Sequence, residues 1–173
     1  MIVTRRRTPS ASAFLGDLRT FHHWDSYEAP LERSDLAMHE IYLALFAHHP
    51  WWAKQLLILR GRIVAFFGLK ATTAADLDTI EIKPSYAIGE KIARFTLFAQ
   101  NETEIVTGGN DRHLDFRVSV KKLSEERGVC RVVLSTVVSP HNFFGKAYLR
   151  VILPFHRFGV RMLLSNAVSS GRI

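Results

Sequence analysis

The segment His113-Leu114-Asp115-Phe116-Arg117-Val118-Ser119-Val120 holds the residues best suited to chemistry. Polar and apolar types alternate along it. On a strand, His113, Asp115, Arg117 and Ser119 would share one face, and Leu114, Phe116, Val118 and Val120 the other. Turned toward a cavity, Asp115 could orient or charge His113, and the Arg117 guanidinium could hold an anionic group of a ligand. Turned toward solvent, the same residues make an ordinary half-buried strand. His141-Asn142 and His156 follow later in the chain and can approach the same cavity mouth. His113, Asp115, Arg117, His141, Asn142 and His156 are therefore the candidate ligand-binding residues, and none is assigned a catalytic role.

A second set of candidates lies on the last helical stretch, which begins near Phe143. At 100° per residue, with Lys146 set to zero, Arg150, Arg157 and Arg161 fall within about 60° of it. Tyr148, Val151, Ile152, Phe155, Phe158, Gly159, Met162 and Leu163 fall on the opposite side, which is the face expected to meet a core. His156 sits on the boundary. Pro154 should kink or interrupt the helix, because it removes one backbone bond and crowds the Arg150 carbonyl. No carboxylate occurs within this helix, so its cations lack acidic i,i+4 partners. Either the basic stripe is simply solvated, or Lys146, Arg150, Arg157 and Arg161 meet an anion, an anionic membrane or an acidic partner.

Other chemistries are poorly supported. The chain has no GxSxG, HExxH, P-loop or GxGxxG pattern. Its eight histidines include the pairs His22-His23 and His48-His49, whose members point to different faces of any strand or helix. Neither a metal site nor a cofactor is expected. Cys130, the one cysteine, opens an apolar strand and suits a small core position. The Trp51-Trp52 pair suits core packing or a pocket wall.

Composition narrows the class further. With 173 residues, 47% of them hydrophobic and 12 of them Phe, the chain suits one folded domain and cannot be wholly disordered. The net charge of +7 is concentrated: residues 129–173 carry six basic groups and no acidic one. Nucleic acid is an unlikely partner on this pattern, because no reader motif accompanies the basic helix and Arg5-Arg6-Arg7 is only a short tail. The apolar run after Arg7 is too weak for a secretory signal, and no stretch suits a membrane span. A cytoplasmic protein is expected, with peripheral membrane contact open.

These residues need elements to position them. Residues 24–31 suit a strand ended by Pro30, preceded by a flexible basic N-terminus over 1–20. Ser34 is expected to cap a helix over 36–49, whose apolar residues recur at helical spacing. Pro50 then opens a second helix that Gly68 ends. Strands follow at 94–99 and 103–107, with Gly108-Gly109-Asn110-Asp111 as a turn. A third strand covers 113–123, Ser124–Gly128 turns the chain, and a fourth covers 129–138. The expected architecture is α+β: a single domain over 21–173 in which a curved antiparallel sheet grips a long C-terminal helix, with two helices inserted after the first strand.

Three stretches resemble a known family. They are Phe67-Gly68-Leu69-Lys70, Asp111-Arg112-His113-Leu114-Asp115-Phe116-Arg117-Val118-Ser119-Val120, and Thr136-Val137-Val138 with His141-Asn142, Gly145-Lys146-Ala147-Tyr148 and Leu153-Pro154-Phe155-His156-Arg157. Over about residues 27–167 the chain resembles the bacterial domain of unknown function numbered 2867, in its stand-alone form. Other members follow an NAD(P)-binding, epimerase-like domain. Lys146 departs from the pattern, which has Arg there, and the charge survives. The resemblance implies no activity or catalytic residues. The element order is similar to that of helix-grip, START-like (SRPBCC) proteins, which hold apolar molecules between sheet and C-terminal helix. That similarity implies a small apolar or amphipathic ligand, neutral or anionic, held in such a cavity. Two alternatives remain: a small cyclase- or hydratase-like enzyme using a His with a carboxylate, and an interaction module using the basic helix.

Overall fold

A computed structural model describes residues 3–6, 12–47, 83, 85–126 and 129–173. The elements in chain order are β1 (Thr4–Arg5), β2 (His23–Pro30), α1 (Met38–Phe46), β3 (Lys91–Ile92), β4 (Phe95–Gln100), β5 (Glu104–Asn110), β6 (Leu114–Glu126), β7 (Val129–Pro140) and α2 (Phe143–Ser169). Among the described residues, seven strands form one antiparallel sheet in the order β1-β2-β7-β6-β5-β4-β3. The architecture is the expected α+β arrangement, an open sheet carrying a long C-terminal helix. The expected second inserted helix, with Trp51-Trp52 and Phe67-Gly68-Leu69-Lys70, lies outside the described residues, as does His48-His49.

The long strands follow from β-branched runs. Val132, Val133, Val137 and Val138 suit β7 to the interior of the sheet, between β2 and β6, and its partners pin the register through Asp25 opposite Thr136 and Val118 opposite Thr136. The inner face of the sheet presents Tyr27, Leu134, Val120, Ile105 and Leu97 to α1 and to the C-terminal part of α2, forming the main core. A second, smaller cluster of Leu114, Val138 and Leu149 sits under the first half of α2. Asn142 caps α2 by accepting from the Gly145 N–H at 2.9 Å.

Several local expectations are corrected. The Gly108-Gly109 pair lies inside β5 rather than in a turn. Neither glycine has positive φ; a Cβ on Gly108 would instead come within 2.2 Å of the Phe116 carbonyl oxygen, so the residue is fitted to close strand approach. The chain turns just beyond, with the Asp111 N–H donating to the Leu114 carbonyl at 3.0 Å. Ser34 does not cap α1. Residues 33–36 make their own turn, and the helix starts at Met38 with Glu40 accepting from the Ala37 N–H at 2.8 Å. Where described, the N-terminal residues also contribute to the fold. Thr4–Arg5 extends the sheet, and Leu18 is fully buried.

The largest correction concerns α2. It runs through Pro154 without stopping, and its buried residues are Gly145, Leu149, Leu164, Ala167 and Val168. Val151, Phe155 and Phe158, expected in the core, are instead exposed. Small residues set the packing face: a Cβ on Gly145 would lie 2.0 Å from the His113 carbonyl oxygen. The helix is thus rotated so that the boundary residue His156 turns toward the sheet.

Candidate functional site

Strand β2 begins His23-Trp24-Asp25-Ser26-Tyr27, and its pleat puts His23, Asp25 and Tyr27 on the inner face under α2. Asp25 and Tyr27 have no exposed surface. From above, His156 brings Nε2 to 3.2 Å from Asp25 Oδ1. Along the strand, His23 Nε2 lies 3.5 Å from Asp25 Oδ2, too long and poorly aligned for a good hydrogen bond. Thr136 of β7 stands opposite Asp25 in the ladder and is also buried. A polar layer therefore interrupts the apolar interior between the two core clusters.

Electrostatics set the state of this layer. Burial by itself would push the Asp25 carboxyl upward. Its contacts with His156 and His23 outweigh burial and hold it well below the usual carboxylate range. Asp25 is thus an ionised group taken out of water, stabilised by two imidazoles. For Tyr27, burial raises the phenol pKa and the Asp25 charge adds to this, while Arg161, Arg5 and Arg157 oppose it. Those three cations therefore stand within electrostatic range of the phenol. The Arg161 guanidinium carbon lies 5.6 Å from the Tyr27 ring centroid.

Hydrogen bonding in the layer is incomplete. Asp25 Oδ2, His23 Nε2, the Tyr27 hydroxyl, Thr136 Oγ1 and Arg157 Nε have no hydrogen-bond partner among the described residues. Tyr42 is the internal contrast, since its buried hydroxyl meets Thr107 Oγ1 at 2.8 Å. Each unpaired buried polar group costs roughly 1–3 kcal/mol, which makes this layer the least compensated part of the described interior.

The six residues singled out from sequence are distributed over three places. Asp115 and Arg117 lie on the outer face of the sheet, turned away from α2. Asp115 Oδ1 meets His141 Nε2 at 3.1 Å on the partly exposed rim. Arg117 is engaged within the fold: Nη1 donates to the Phe116 carbonyl at 2.8 Å, and the guanidinium stacks 3.7 Å from the Phe98 ring centroid. Burial lowers its pKa. His113 is buried at the start of α2, 3.5 Å from Asp111 and edge-on to the Tyr148 ring. Asn142 caps that helix. Only His156 reaches the inner polar layer. Of the basic residues, Arg161 approaches that layer over the Tyr27 ring and Arg157 acts on the Tyr27 phenol through its charge, whereas Lys146 and Arg150 are exposed.

Asp25, His23, Tyr27 and Thr136 were missed by sequence reasoning. Their signal was present, because His23, Asp25 and Tyr27 alternate with the same period that drew attention to residues 113–119. Among the described residues, no group of three His, Cys, Asp or Glu side chains is arranged to hold a metal ion, and no helix is long and apolar enough to cross a membrane. An open surface depression of about 550 Å³ lies away from the polar layer, between Ala37–His39 and Gln100–Glu102 with Ile105 at its floor.

A family model described as "Protein of unknown function (DUF2867)" matches residues 18–163. The chain belongs to this family. The DUF2867 match spans β2 through most of α2, and so takes in every member of the inner polar layer. No curated protein and no solved structure matches the chain. The DUF2867 fold described above, an antiparallel sheet with a long C-terminal helix, is consistent with a helix-grip arrangement.

Proposed function

We propose that this protein binds a small amphipathic molecule between the inner face of the sheet and α2, with its polar head at the Asp25 layer. The observation that carries this reading is the group of buried, unpaired polar atoms around an ionised Asp25. Their chemistry describes the head group. Asp25 Oδ2 asks for a donor and Arg157 Nε for an acceptor, while the Tyr27 and Thr136 hydroxyls can serve as either. A hydroxyl or amide beside a carbonyl or carboxylate meets all four, and Arg157 and Arg161 favour negative charge on the accepting part. The apolar body would extend along the half-buried Ile152 and Leu163 of α2. A pocket of this kind is mostly apolar with a few converging polar groups.

Calorimetric titration with 3-hydroxy fatty acids of increasing chain length tests the reading. Binding that strengthens with chain length and weakens at least about tenfold in Asp25→Asn is expected, the loss of one charged hydrogen bond. Absence of binding at every length, or binding untouched by the substitution, would overturn it. The 3.2 Å contact between His156 and Asp25 also favours a second reading, in which the pair acts as a general base on the bound molecule. His156→Asn would then retain the ligand and lose turnover, whereas simple carriage predicts no turnover in either form.

A further inference from the structure

The rotation of α2 leaves an apolar face in solvent beside its cations. Phe143 is 82% exposed, Val151 68% and Phe155 57%, while Lys146 and Arg150 are exposed next to them. On the helical wheel the cations occupy about 0–60° and the apolar side chains about 60–180°, so one flank is charged and the other greasy. Lys146 and Arg150 have no carboxylate partner among the described residues, and residues 129–173 contain no acid at all. A flank of exposed aromatic and branched apolar residues set beside a flank of cations is the pattern of an interaction surface.

We propose that this face of α2 docks the protein on an anionic phospholipid bilayer, with Lys146 and Arg150 against the headgroup phosphates and Phe143, Val151 and Phe155 in the upper acyl region. Charge decides among occupants. A second copy offering the same helix would set cations against cations with no carboxylate between them. A nucleic acid would satisfy the cations but leave the Phe and Val side chains unused. An anionic membrane complements both flanks, and a helix lying in the interface plane needs no spanning length. The proposal stands independently of the ligand-binding reading, since none of these five side chains belongs to the Asp25 layer.

The test is co-sedimentation of the full chain with vesicles of phosphatidylcholine alone and of phosphatidylcholine mixed with phosphatidylglycerol, at low and high salt. Sedimentation with the anionic vesicles at low salt is expected, with release at high salt and little binding to the neutral ones. The paired substitution Lys146→Glu with Arg150→Glu should weaken the partition by roughly tenfold or more, since each basic residue contributes about fivefold near an anionic surface. Phe143→Ser with Phe155→Ser should weaken it separately. All four side chains are exposed, so circular dichroism should show unchanged folding. Failure to sediment with anionic vesicles at low salt overturns the proposal, as does full binding by both paired variants. A concentration-dependent dimer abolished by the same substitutions would assign the face to a second copy and also overturn it.

Discussion

Two carboxylates in this sheet have no exposed surface, and they are treated in opposite ways. Glu104 lies on the outer face, where Oε1 accepts from Ser12 Oγ at 2.5 Å and Ser119 Oγ at 2.6 Å, and Oε2 accepts from the Ala13 N–H at 2.8 Å. Its neutral donors come from β6 and from the segment ahead of β2, so the carboxylate fastens that segment to the sheet. Asp25 lies on the inner face beside two imidazoles, with one oxygen left without a good partner and unpaired hydroxyls nearby. Burying a charge is costly unless it is paired and hydrogen-bonded. Among the described residues the outer carboxylate has no opposite charge beside it, but both of its oxygens accept hydrogen bonds within the chain. Asp25 has one oxygen bonded to His156 and one without a hydrogen-bond partner among those residues, and on this difference rests our proposal that the Asp25 layer binds while Glu104 clasps.

The sharpest way to probe the comparison is to remove the clasp. Glu104→Ala leaves three neutral donors without their acceptor, and at about 1–3 kcal/mol for each one left unsatisfied a loss of at least about 3 kcal/mol is expected by urea unfolding, with faster proteolysis ahead of β2. Asp25→Asn should cost less, about 1–2 kcal/mol, because the Asn carbonyl can still accept from His156. If the two substitutions cost the same, the contrast between clasp and binding layer fails.

Acid titration sharpens it further. The Asp25 carboxyl titrates below its ordinary value of 3.8 in the folded protein. Its ionised form therefore stabilises the fold above that pH, and the contribution is lost as pH falls below about 4 toward the folded value. Stability followed from pH 6 to pH 2 should fall more steeply in the wild type than in Asp25→Asn, and parallel curves would break the account. The smallest effect is expected at Tyr27. Its hydroxyl has no partner, so Tyr27→Phe should leave stability unchanged or raise it by up to about 1 kcal/mol, while weakening ligand binding. A clear loss of stability would show that the hydroxyl is already satisfied in the fold.

Much of the scaffold was legible in sequence because periodicity reports burial directly. The β-branched run of β7, the alternation of β6 and the helical spacing of α1 each led to the right element. Misreadings arose where tertiary contact overrode local pattern. Gly108-Gly109 looked like turn chemistry, yet the glycines serve close approach to Phe116. The apolar arc of α2 looked like a core face, but Gly145, Leu149, Leu164 and Ala167 allow closer packing on the sheet than Phe155 or Phe158 would. The candidate site suffered from the same rotation. His156 was on the boundary of the wheel, and only the turned helix brings it to Asp25. Asp25 alternates with His23 and Tyr27 as the polar residues of β6 do, but nothing local says that its neighbour across the interface is a histidine 131 residues away.

We propose that the Asp25 layer holds a ligand while Glu104 holds the fold. Native mass spectrometry of the protein purified from its host, beside Asp25→Asn and Glu104→Gln, tests it most directly. A small-molecule adduct is expected on the wild type, retained by folded Glu104→Gln and lost from Asp25→Asn. A wild type without adduct, or an adduct lost equally from both variants, would contradict it.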